Sequence, residues 1–317
     1  MRVLVTGASG FIGSYLCNFL SNNGMEVIAS CRNKKKLERS HIKYAGFVGL
    51  DVLSDLETNI TTDAIVHVAT ANDIVSRKAI DGINLSAIGT KNLLEYAVRN
   101  RIPNFIFFST FQVYGTELEG TITESSPTHS INDYGLNHLF GEMYVEMYAR
   151  QGSINGVSVR PSNVHGPFLL PSIDRWTLVP GCFCKEVIEK QTITIRSSGK
   201  QMRNFVHLEN LSAAIMCILQ NFKSGYDVVN VGSTENMSML DAAKLVKAIY
   251  ESFGSKTVCL KVEGDQPTSP NIFDVSLEKL KNRYGFTENE EANLVHSIKA
   301  LFRFLENGNK QESYEPN

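Results

Sequence analysis

The first half of the chain alternates short apolar, β-branched runs with longer segments in which apolar residues recur every three or four positions. The apolar runs predict strands over Arg2–Thr6, Val27–Ser30, Phe47–Leu50, Ala64–Val68, Asn104–Ser109 and Gly156–Arg160. The periodic segments predict helices over Ile12–Asn23, Leu85–Asn100 and Tyr134–Gln151. This alternation is typical of an α/β protein whose parallel sheet is covered by helices on both faces.

The alternation becomes less regular after Pro161. A loop-rich segment is followed by a predicted helix, strand and helix over Leu208–Gln220, Val228–Val231 and Met239–Ser252. We therefore expect a Rossmann-type, doubly wound parallel sheet and a smaller, partly discontinuous C-terminal region that binds the substrate. The expected boundaries are 1–163 for the dinucleotide-binding domain, with 203–231 packing back on it, and 164–202 with 232–317 for the substrate-binding region.

A glycine-rich turn separates the first strand from the first helix. In VLVTGASGFIGSYL, Gly7, Gly10 and Gly13 follow an apolar strand and precede an apolar-periodic helix. Glycines at this spacing permit a tight turn and bring the backbone close to a pyrophosphate at the helix N-terminus. The sequence thus predicts a dinucleotide site whose first contacts come from Gly7, Ser9, Gly10, Phe11, Ile12 and Gly13.

The end of the second strand bears on the choice between the two nicotinamide cofactors. An acidic residue there would bind the free ribose hydroxyl of NAD, whereas an arginine accommodates the additional phosphate of NADP. The sequence reads VIASCRNKKK, which places Cys31 and Arg32 where an acid might stand and three lysines beyond them. A guanidinium suits a phosphate dianion, so NADP is favoured and NAD remains possible.

Composition narrows the class of protein further. The chain has 317 residues, 43% of them hydrophobic, and a formal charge of −2, which gives no field favouring nucleic acid or an anionic membrane. Its six cysteines include only one close pair, Cys182 and Cys184, which cannot complete a tetrahedral metal site, so no metal is expected.

No apolar run approaches the roughly 20 residues of a membrane span, and the N-terminus is unlike a signal peptide. We expect a cytoplasmic protein.

Several short motifs occur in one order along nearly the whole chain. They are TGASGFIG (6–13), LDV (50–52), HVAT (67–70), GTKNLLEYA (89–97), STFQVYG (109–115), YGLNH (134–138), RPSNVHGP (160–167), RNFVHLENL (203–211), VNVGS (229–233) and FDVSLEKLKNRYGF (273–286). On these motifs the chain resembles the extended short-chain dehydrogenase/reductase family, which includes NAD(P)-dependent nucleotide-sugar epimerases, dehydratases and ketoreductases.

The resemblance implies roles for further residues. It assigns cofactor contacts to Asp51, Val52, Ala69, Thr70, Tyr134, His138 and Pro161. It assigns nucleotide-sugar contacts to Thr110, Asn163 and Arg203, and the loop with Arg175 and Trp176 to the sugar pocket. Ser86 stands where the family commonly has an asparagine. A homodimer paired through Leu85–Asn100 and the helix that begins at Tyr134 is also expected by resemblance.

The catalytic residues implied by the resemblance are Tyr134, Thr110 and His138. Tyrosine has a pKa of about 10, and the family lowers it with a lysine four residues on, one helical turn away. His138 occupies that place, and a reference pKa near 6.5 makes it a weaker source of positive charge. Three alternatives follow. Tyr134 donates its proton to a ketone that is being reduced, or it forms a slow catalytic pair with His138 in which the two titrations are coupled. In the third, the protein binds cofactor and ligand without turnover.

The reaction type is narrowed by the residues after Thr110. The family's 4,6-dehydratases have Asp-Glu there, whereas this chain has Phe111 and Gln112, which cannot shuttle a proton. Dehydration is therefore disfavoured. Because Arg32 favours NADP, we expect NADPH-dependent reduction of a 4-keto nucleotide sugar. A nucleotide-sugar 4-epimerase with tightly bound NAD(P), or a nucleotide or cofactor sensor, remains the alternative.

Overall fold

The computed structural model of the protein describes residues 1–38, 41–54, 56–254, 256–264 and 272–312. Its strands are β1 (Arg2–Thr6), β2 (Glu26–Ser30), β3 (Gly46–Val48), β4 (Ala64–His67), β5 (Asn104–Phe108), β6 (Gly120–Ile122), β7 (Asn155–Pro161), β8 (Asn163–His165), β9 (Thr192–Ile195), β10 (Met202–His207), β11 (Tyr226–Val231), β12 (Asn236–Ser238), β13 (Cys259–Val262) and β14 (Phe273–Val275). Its α-helices are α1 (Phe11–Asn22), α2 (Lys35–Glu38), α3 (Ala79–Ile83), α4 (Gly89–Arg99), α5 (Asp133–Arg150), α6 (Gly181–Lys190), α7 (Leu208–Gln220), α8 (Met239–Ser252), α9 (Glu278–Tyr284) and α10 (Leu294–Glu312).

Seven parallel strands form the central sheet, in the order β11-β7-β5-β4-β1-β2-β3. The chain winds outward from β1 through β2 to β3, then crosses to β4 and winds in the opposite direction. The connections that follow β1 and β4 therefore run in opposite directions, away from each other. In sheets of this kind the ligand binds in the crevice between them, at the carboxyl ends of the two strands. The predicted α/β class with a Rossmann-type doubly wound sheet is confirmed.

Apolar side chains cover both faces of this sheet. Successive residues of a strand point to opposite faces, so Val3 and Val5 lie in one core with the buried residues of α1 and α7. Leu4 and Ile65 lie in the other core, beneath α4 and α5. Since every residue of β4 is buried, the strand has no solvent-facing side, which explains its uninterrupted apolar sequence.

The helix predicted over Leu85–Asn100 differs most from the structure. Helical backbone begins at Ala79 and passes through a single π-helical turn, Asn84–Ile88, before α4. In this turn the buried Ser86 hydroxyl accepts a hydrogen bond from the Ala71 N–H at 3.0 Å, across to the loop after β4. A π-turn inserts one residue into the helical repeat, and the apolar periodicity does not reveal it.

Several short strands, most of them in the C-terminal half, were not predicted by the hydrophobic pattern. They form small sheets in the orders β12-β10-β8, β13-β9 and β14-β6. The predicted strand Val228–Val231 is the end of β11, which joins the central sheet beside β7. Strand β10 instead pairs with β8 and β12. The domain boundaries given above remain predictions.

No helix within the described ranges is long and apolar enough to cross a membrane.

Candidate active site

A cleft of about 980 Å³ lies at the carboxyl ends of the central strands and extends beneath the C-terminal region. It is lined by the residues predicted to contact cofactor or nucleotide sugar or to take part in catalysis, except Trp176: Gly7, Ser9, Gly10, Phe11, Ile12, Gly13, Arg32, Asp51, Val52, Ala69, Thr70, Thr110, Tyr134, His138, Pro161, Asn163 and Arg203. Lining one cleft places these residues together but does not by itself assign each its role.

The glycine turn has the geometry of a phosphate-binding loop. Gly7 has a φ of +69°, in the left-handed region that favours glycine. A Cβ atom on Gly13 would stand 2.1 Å from the Gly7 carbonyl oxygen, so only glycine lets α1 approach the turn this closely. Gly10 caps α1, and no side chain in the described part of the chain covers its N-terminal N–H groups. The free N–H groups and the helix dipole suit a dinucleotide pyrophosphate.

The residues after β2 line one part of the cleft. Arg32 and Lys36 both line it, and both are exposed. Lys34, by contrast, lies 3.5 Å from Glu38 in a surface ion pair and does not line the cleft. The structure therefore distinguishes Lys36 from its neighbours in the lysine run, and two cations are available where a 2′-phosphate would lie.

Buried side chains position the loop after β4. The Thr6 hydroxyl accepts hydrogen bonds from the N–H groups of Val68 and Ala69, both at 3.1 Å, and lies 2.8 Å from His67 Nδ1. Burial, with a smaller contribution from His138, lowers the pKa of His67 to about 3. His67 does not line the cleft, so it is a neutral structural group beneath the loop that carries Ala69.

The N-terminus of α5 brings Tyr134 to the cleft. Asn132 caps this helix by accepting a hydrogen bond from the Gly135 N–H at 2.9 Å. The Asn132 amide also donates to Gln112 Oε1 at 3.1 Å. The cap therefore ties the first turn of α5, with Tyr134 in it, to the loop that follows β5.

Thr110 begins that loop and lies beside Tyr134. Its hydroxyl accepts a hydrogen bond from the Gln112 N–H at 3.2 Å, which starts a short 3₁₀ turn. The Thr110 and Tyr134 side chains line the same cleft. Burial raises the pKa of Tyr134, and the Thr110 hydroxyl lowers it by a smaller amount. At neutral pH Tyr134 is a protonated phenol that can donate.

His138 is sealed beneath Tyr134, with only 1% of its surface exposed. Its Nδ1 lies 2.7 Å from the Tyr134 carbonyl oxygen, and its Nε2 lies 3.2 Å from Thr70 Oγ1. Because a carbonyl can only accept, Nδ1 carries the proton, and Nε2 then accepts from the Thr70 hydroxyl. Burial lowers the pKa of His138 to about 4, so at neutral pH it does not supply the positive charge of a lysine.

A buried ion pair that the sequence analysis missed supports the loop that contains Thr110. Arg160 on β7 donates to Glu142 on α5 through Nη2 at 2.6 Å and Nε at 2.8 Å. Glu142 also accepts from the Ser109 hydroxyl, and Arg160 Nη1 donates to the Tyr114 hydroxyl at 2.8 Å. Tyr114 in turn donates to Asn230 Oδ1 at 2.8 Å. The available signal was a single charge within the otherwise apolar strand VSVRP.

A second ion pair that the sequence analysis did not predict lies at the surface of the cleft. Arg175 Nη1 lies 2.7 Å from Asp73 Oδ1, and both residues line the cleft. Trp176 does not line it, because its ring packs against Phe168 and Phe304 at centroid distances of 4.6 and 6.2 Å. Of the two loop residues expected at the sugar pocket, only Arg175 reaches the cleft.

The described residues contain no group of three His, Cys, Asp or Glu side chains that could hold a metal ion.

Comparison with known proteins gives the chain its family. The model of the NAD dependent epimerase/dehydratase family matches residues 3–232. The chain is 29% identical to the human dTDP-D-glucose 4,6-dehydratase over 88% of its length and 83% of the relative's. It is 26% identical to a putative UDP-glucose 4-epimerase of Methanocaldococcus jannaschii, over 97% of its length and 99% of that protein.

Solved structures share the fold. MoeE5 in complex with UDP-glucose and NAD superposes with a TM-score of 0.80 at 20% identity, over 96% of this chain and 100% of the other. The UDP-glucuronic acid 4-epimerase from Bacillus cereus in complex with NAD gives 0.79 at 23% identity, over 96% of each chain. As the motifs shared with extended short-chain dehydrogenases/reductases predicted, the chain belongs to the NAD dependent epimerase/dehydratase family.

Proposed function

We propose that the protein is an NADPH-dependent reductase of a 4-keto nucleotide sugar. The observation that carries this proposal is the protonated Tyr134 packed against a neutral His138, with their ring centroids 4.5 Å apart. Reduction of a ketone requires a proton donor at its oxygen, and a neutral phenol is ready to donate. Oxidation of an alcohol would first require a phenolate, which this environment disfavours.

The substrate class is supported by the relatives and by the far end of the cleft. The dehydratase and epimerase relatives are named for dTDP- and UDP-sugars. Beyond Tyr134 the cleft is lined by Asn163 and Arg203. Arg203 is solvent-exposed, and its planar fork of donors suits a diphosphate. We assign the nucleotide diphosphate to Arg203 and Asn163.

In the proposed ketone reduction each side chain has a separate role. Reduced nicotinamide, when bound, supplies the hydride. Tyr134 gives its proton to the substrate oxygen, and Thr110 donates a hydrogen bond to the same oxygen and orients it. Phe111 and Gln112 offer no acid or base for elimination, so the sugar is not dehydrated. His138 holds Thr70 in place at the nicotinamide end.

A 4-epimerase is the second candidate, and one observation favours it. A relative of nearly the same length is a putative UDP-glucose 4-epimerase, and a similar fold occurs in an epimerase solved with NAD. An epimerase regenerates its cofactor, so it would act without added NADPH and would be purified with nucleotide bound.

The test is NADPH oxidation by the purified protein with dTDP- and UDP-4-keto-6-deoxyglucose, followed by absorbance. We expect turnover with a keto sugar and none without it. Saturable NADPH binding without oxidation would refute the reductase. Interconversion of UDP-glucose and UDP-galactose without added cofactor would establish the epimerase instead.

Arg32→Gln is expected to weaken NADPH binding by roughly 10- to 100-fold and to change NADH binding little. One charge-assisted hydrogen bond is worth about 1.5–3 kcal/mol, and each 1.4 kcal/mol is a factor of ten in affinity. Fluorescence titration with both cofactors measures the effect. Lys35→Gln is the matched control, because Lys35 is exposed but does not line the cleft. Equal losses for NADPH and NADH would contradict a 2′-phosphate contact.

We also propose that the protein is a homodimer. A second, apolar groove of about 360 Å³ is lined by Ile83, Ala87, Ile88, Phe140, Met143, Tyr144 and Met147. It lies between the π-turn region and α5, and the Met143 side chain is 58% exposed at its rim. Apolar surface of this kind favours association through a two-fold axis that pairs the groove with its copy.

Met143→Glu is expected to shift the protein from dimer to monomer, because it buries a carboxylate without a partner in the proposed interface. Light scattering coupled to size-exclusion chromatography gives the mass. Val262→Glu serves as the control, since Val262 is similarly exposed at 47% but lies on β13, outside the groove. A wild-type protein that elutes as a monomer would contradict the proposal.

A further inference from the structure

The short loop after β4 joins the glycine turn to the region around Tyr134. At one end, a Cβ atom on Gly7 would stand 3.0 Å from the Ala69 backbone nitrogen, so the loop lies directly against the turn. At the other end, Thr70 Oγ1 lies 3.2 Å from His138 Nε2, and the ring centroid of His138 lies 4.5 Å from that of Tyr134. Thr70 therefore lies between the proposed pyrophosphate site and the proposed proton donor.

Buried hydroxyls hold this loop on both sides of Thr70. Thr6 accepts hydrogen bonds from the N–H groups of the two preceding residues, both at 3.1 Å, and Ser86 accepts one from the following residue at 3.0 Å. The Thr70 N–H itself donates to the Val68 carbonyl at 2.8 Å. Because these bonds fix the backbone, the Thr70 side chain is presented to the cleft from a defined position.

The hydrogen bond between Thr70 and His138 has one direction. His138 Nδ1 donates to the Tyr134 carbonyl at 2.7 Å, so Nε2 is the acceptor and receives a hydrogen bond from the Thr70 hydroxyl. A hydroxyl has one hydrogen and two lone pairs. Since that hydrogen is directed to His138, Thr70 Oγ1 can offer a ligand only a lone pair. The ligand group that it binds must be a hydrogen-bond donor.

The covalent order of a nicotinamide dinucleotide matches this position. Its second ribose connects the pyrophosphate to the nicotinamide and carries two hydroxyl groups, each of which can donate a hydrogen bond.

We propose that Thr70 Oγ1 accepts a hydrogen bond from a hydroxyl of the nicotinamide ribose, and that His138 is the positioning residue that orients the Thr70 hydroxyl for this contact. His138 then acts on the cofactor through Thr70. This inference rests on the proposed function only in its use of a nicotinamide dinucleotide.

Thr70→Val removes the acceptor and keeps the shape of the side chain. It should weaken the binding of NADPH and of NADH by about 2- to 10-fold, the range of one neutral hydrogen bond. Fluorescence titration of the purified protein, without any sugar, measures both affinities. Thr70→Ser retains the hydroxyl and should restore most of the affinity. Both cofactors carry the same ribose, so this pattern differs from that of Arg32→Gln, which should act on NADPH alone.

The decisive experiment alters the hydroxyls of the ligand. An NADPH analogue with a 2′,3′-dideoxy nicotinamide ribose has no donor for Thr70, so it should bind wild type more weakly than NADPH does. It should bind wild type and Thr70→Val with equal affinity. If Thr70 only supported the local packing, Thr70→Val would weaken both ligands by the same factor, and that result would overturn the inference.

Two further variants complete the set. His138→Phe fills the space of the ring but leaves the Thr70 hydroxyl without its acceptor, so the difference in affinity between NADPH and the analogue should be smaller than in wild type. Thr194→Val is the matched control, because Thr194 is also half-buried but lies on β9, outside the cleft. It should leave the binding of both ligands unchanged.

A hydroxyl of the sugar substrate is the alternative donor, and titration with UDP-glucose distinguishes it. A loss in Thr70→Val that is confined to UDP-glucose would place the sugar at Thr70 and overturn the inference, as would unchanged binding of every ligand. Weaker binding of NADPH and NADH in a protein that reduces no keto sugar would support the inference and refute the proposed reductase. The two failures are therefore distinguishable.

Discussion

Replacing Tyr134 with phenylalanine is expected to lower kcat for keto-sugar reduction by roughly 10²- to 10⁴-fold, the range of a positioned general acid. In the proposed reaction the Tyr134 hydroxyl is the proton donor, and Thr110 lines the same cleft. Phenylalanine keeps the ring packed against His138, where the two ring centroids lie 4.5 Å apart. NADPH binding should therefore persist, and the loss should appear in single-turnover NADPH oxidation rather than in cofactor affinity.

Tyr148→Phe is the control for this variant, since Tyr148 lies on the same helix and packs against the α4 side of the core, away from the cleft. It should retain the wild-type rate. A Tyr134→Phe enzyme that reduces the substrate at a rate close to wild type would show that the proton comes from another group.

Glu142→Gln is expected to lower the free energy of unfolding by about 3–5 kcal/mol, as breaking a buried ion pair generally does. The side chains of Arg160 and Glu142 are only 6% and 4% exposed. Glutamine presents one oxygen in place of two and leaves the guanidinium without a counter-charge in a region that excludes water. Urea denaturation followed by circular dichroism measures the change.

An exposed pair provides the comparison. Lys91→Gln breaks an ion pair with Glu95 whose side chains are 36% and 52% exposed, and it should cost only about 0.2–1 kcal/mol. The double variant Glu142→Leu/Arg160→Met removes both charges and should be more stable than the sum of the two single variants predicts. Equal losses for the buried and the exposed pair would contradict the desolvation argument.

The central fold could be predicted from the sequence because its signals are local. Strands such as β1 and β4 are apolar runs bounded by polar residues, and the spacing of Gly7, Gly10 and Gly13 encodes a backbone conformation directly. The helices over Leu208–Gln220 and Met239–Ser252 have the predicted bounds, since their periodicity and flanking residues define both ends. The residues assigned by resemblance line one cleft, with the exception of Trp176.

What the sequence could not predict depends on neighbours distant along the chain. The lowering of the pKa of His138 to about 4 follows from its burial by other elements, and no pattern around YGLNH indicates it. Arg175 lies in a loop with no periodicity, and its ion pair joins it to Asp73, 102 residues away along the chain. The short strands β6 and β14 are three residues each, too short to give a pattern before their pairing is known.

The pairing of β6 with β14 determines the order in which regions of the structure can form during synthesis. Strand β6, which follows the Thr110 loop, pairs in parallel with β14 from near the end of the chain. Phe273 of β14 stacks on Phe111 in the small core beneath the loop. A nascent chain that has emerged from the ribosome as far as α8 already contains all seven strands of the central sheet and the glycine cradle. It still lacks β14, whose Phe273 completes the small core beneath the Thr110 loop, so the proposed cofactor site can form before the proposed site of proton transfer is complete.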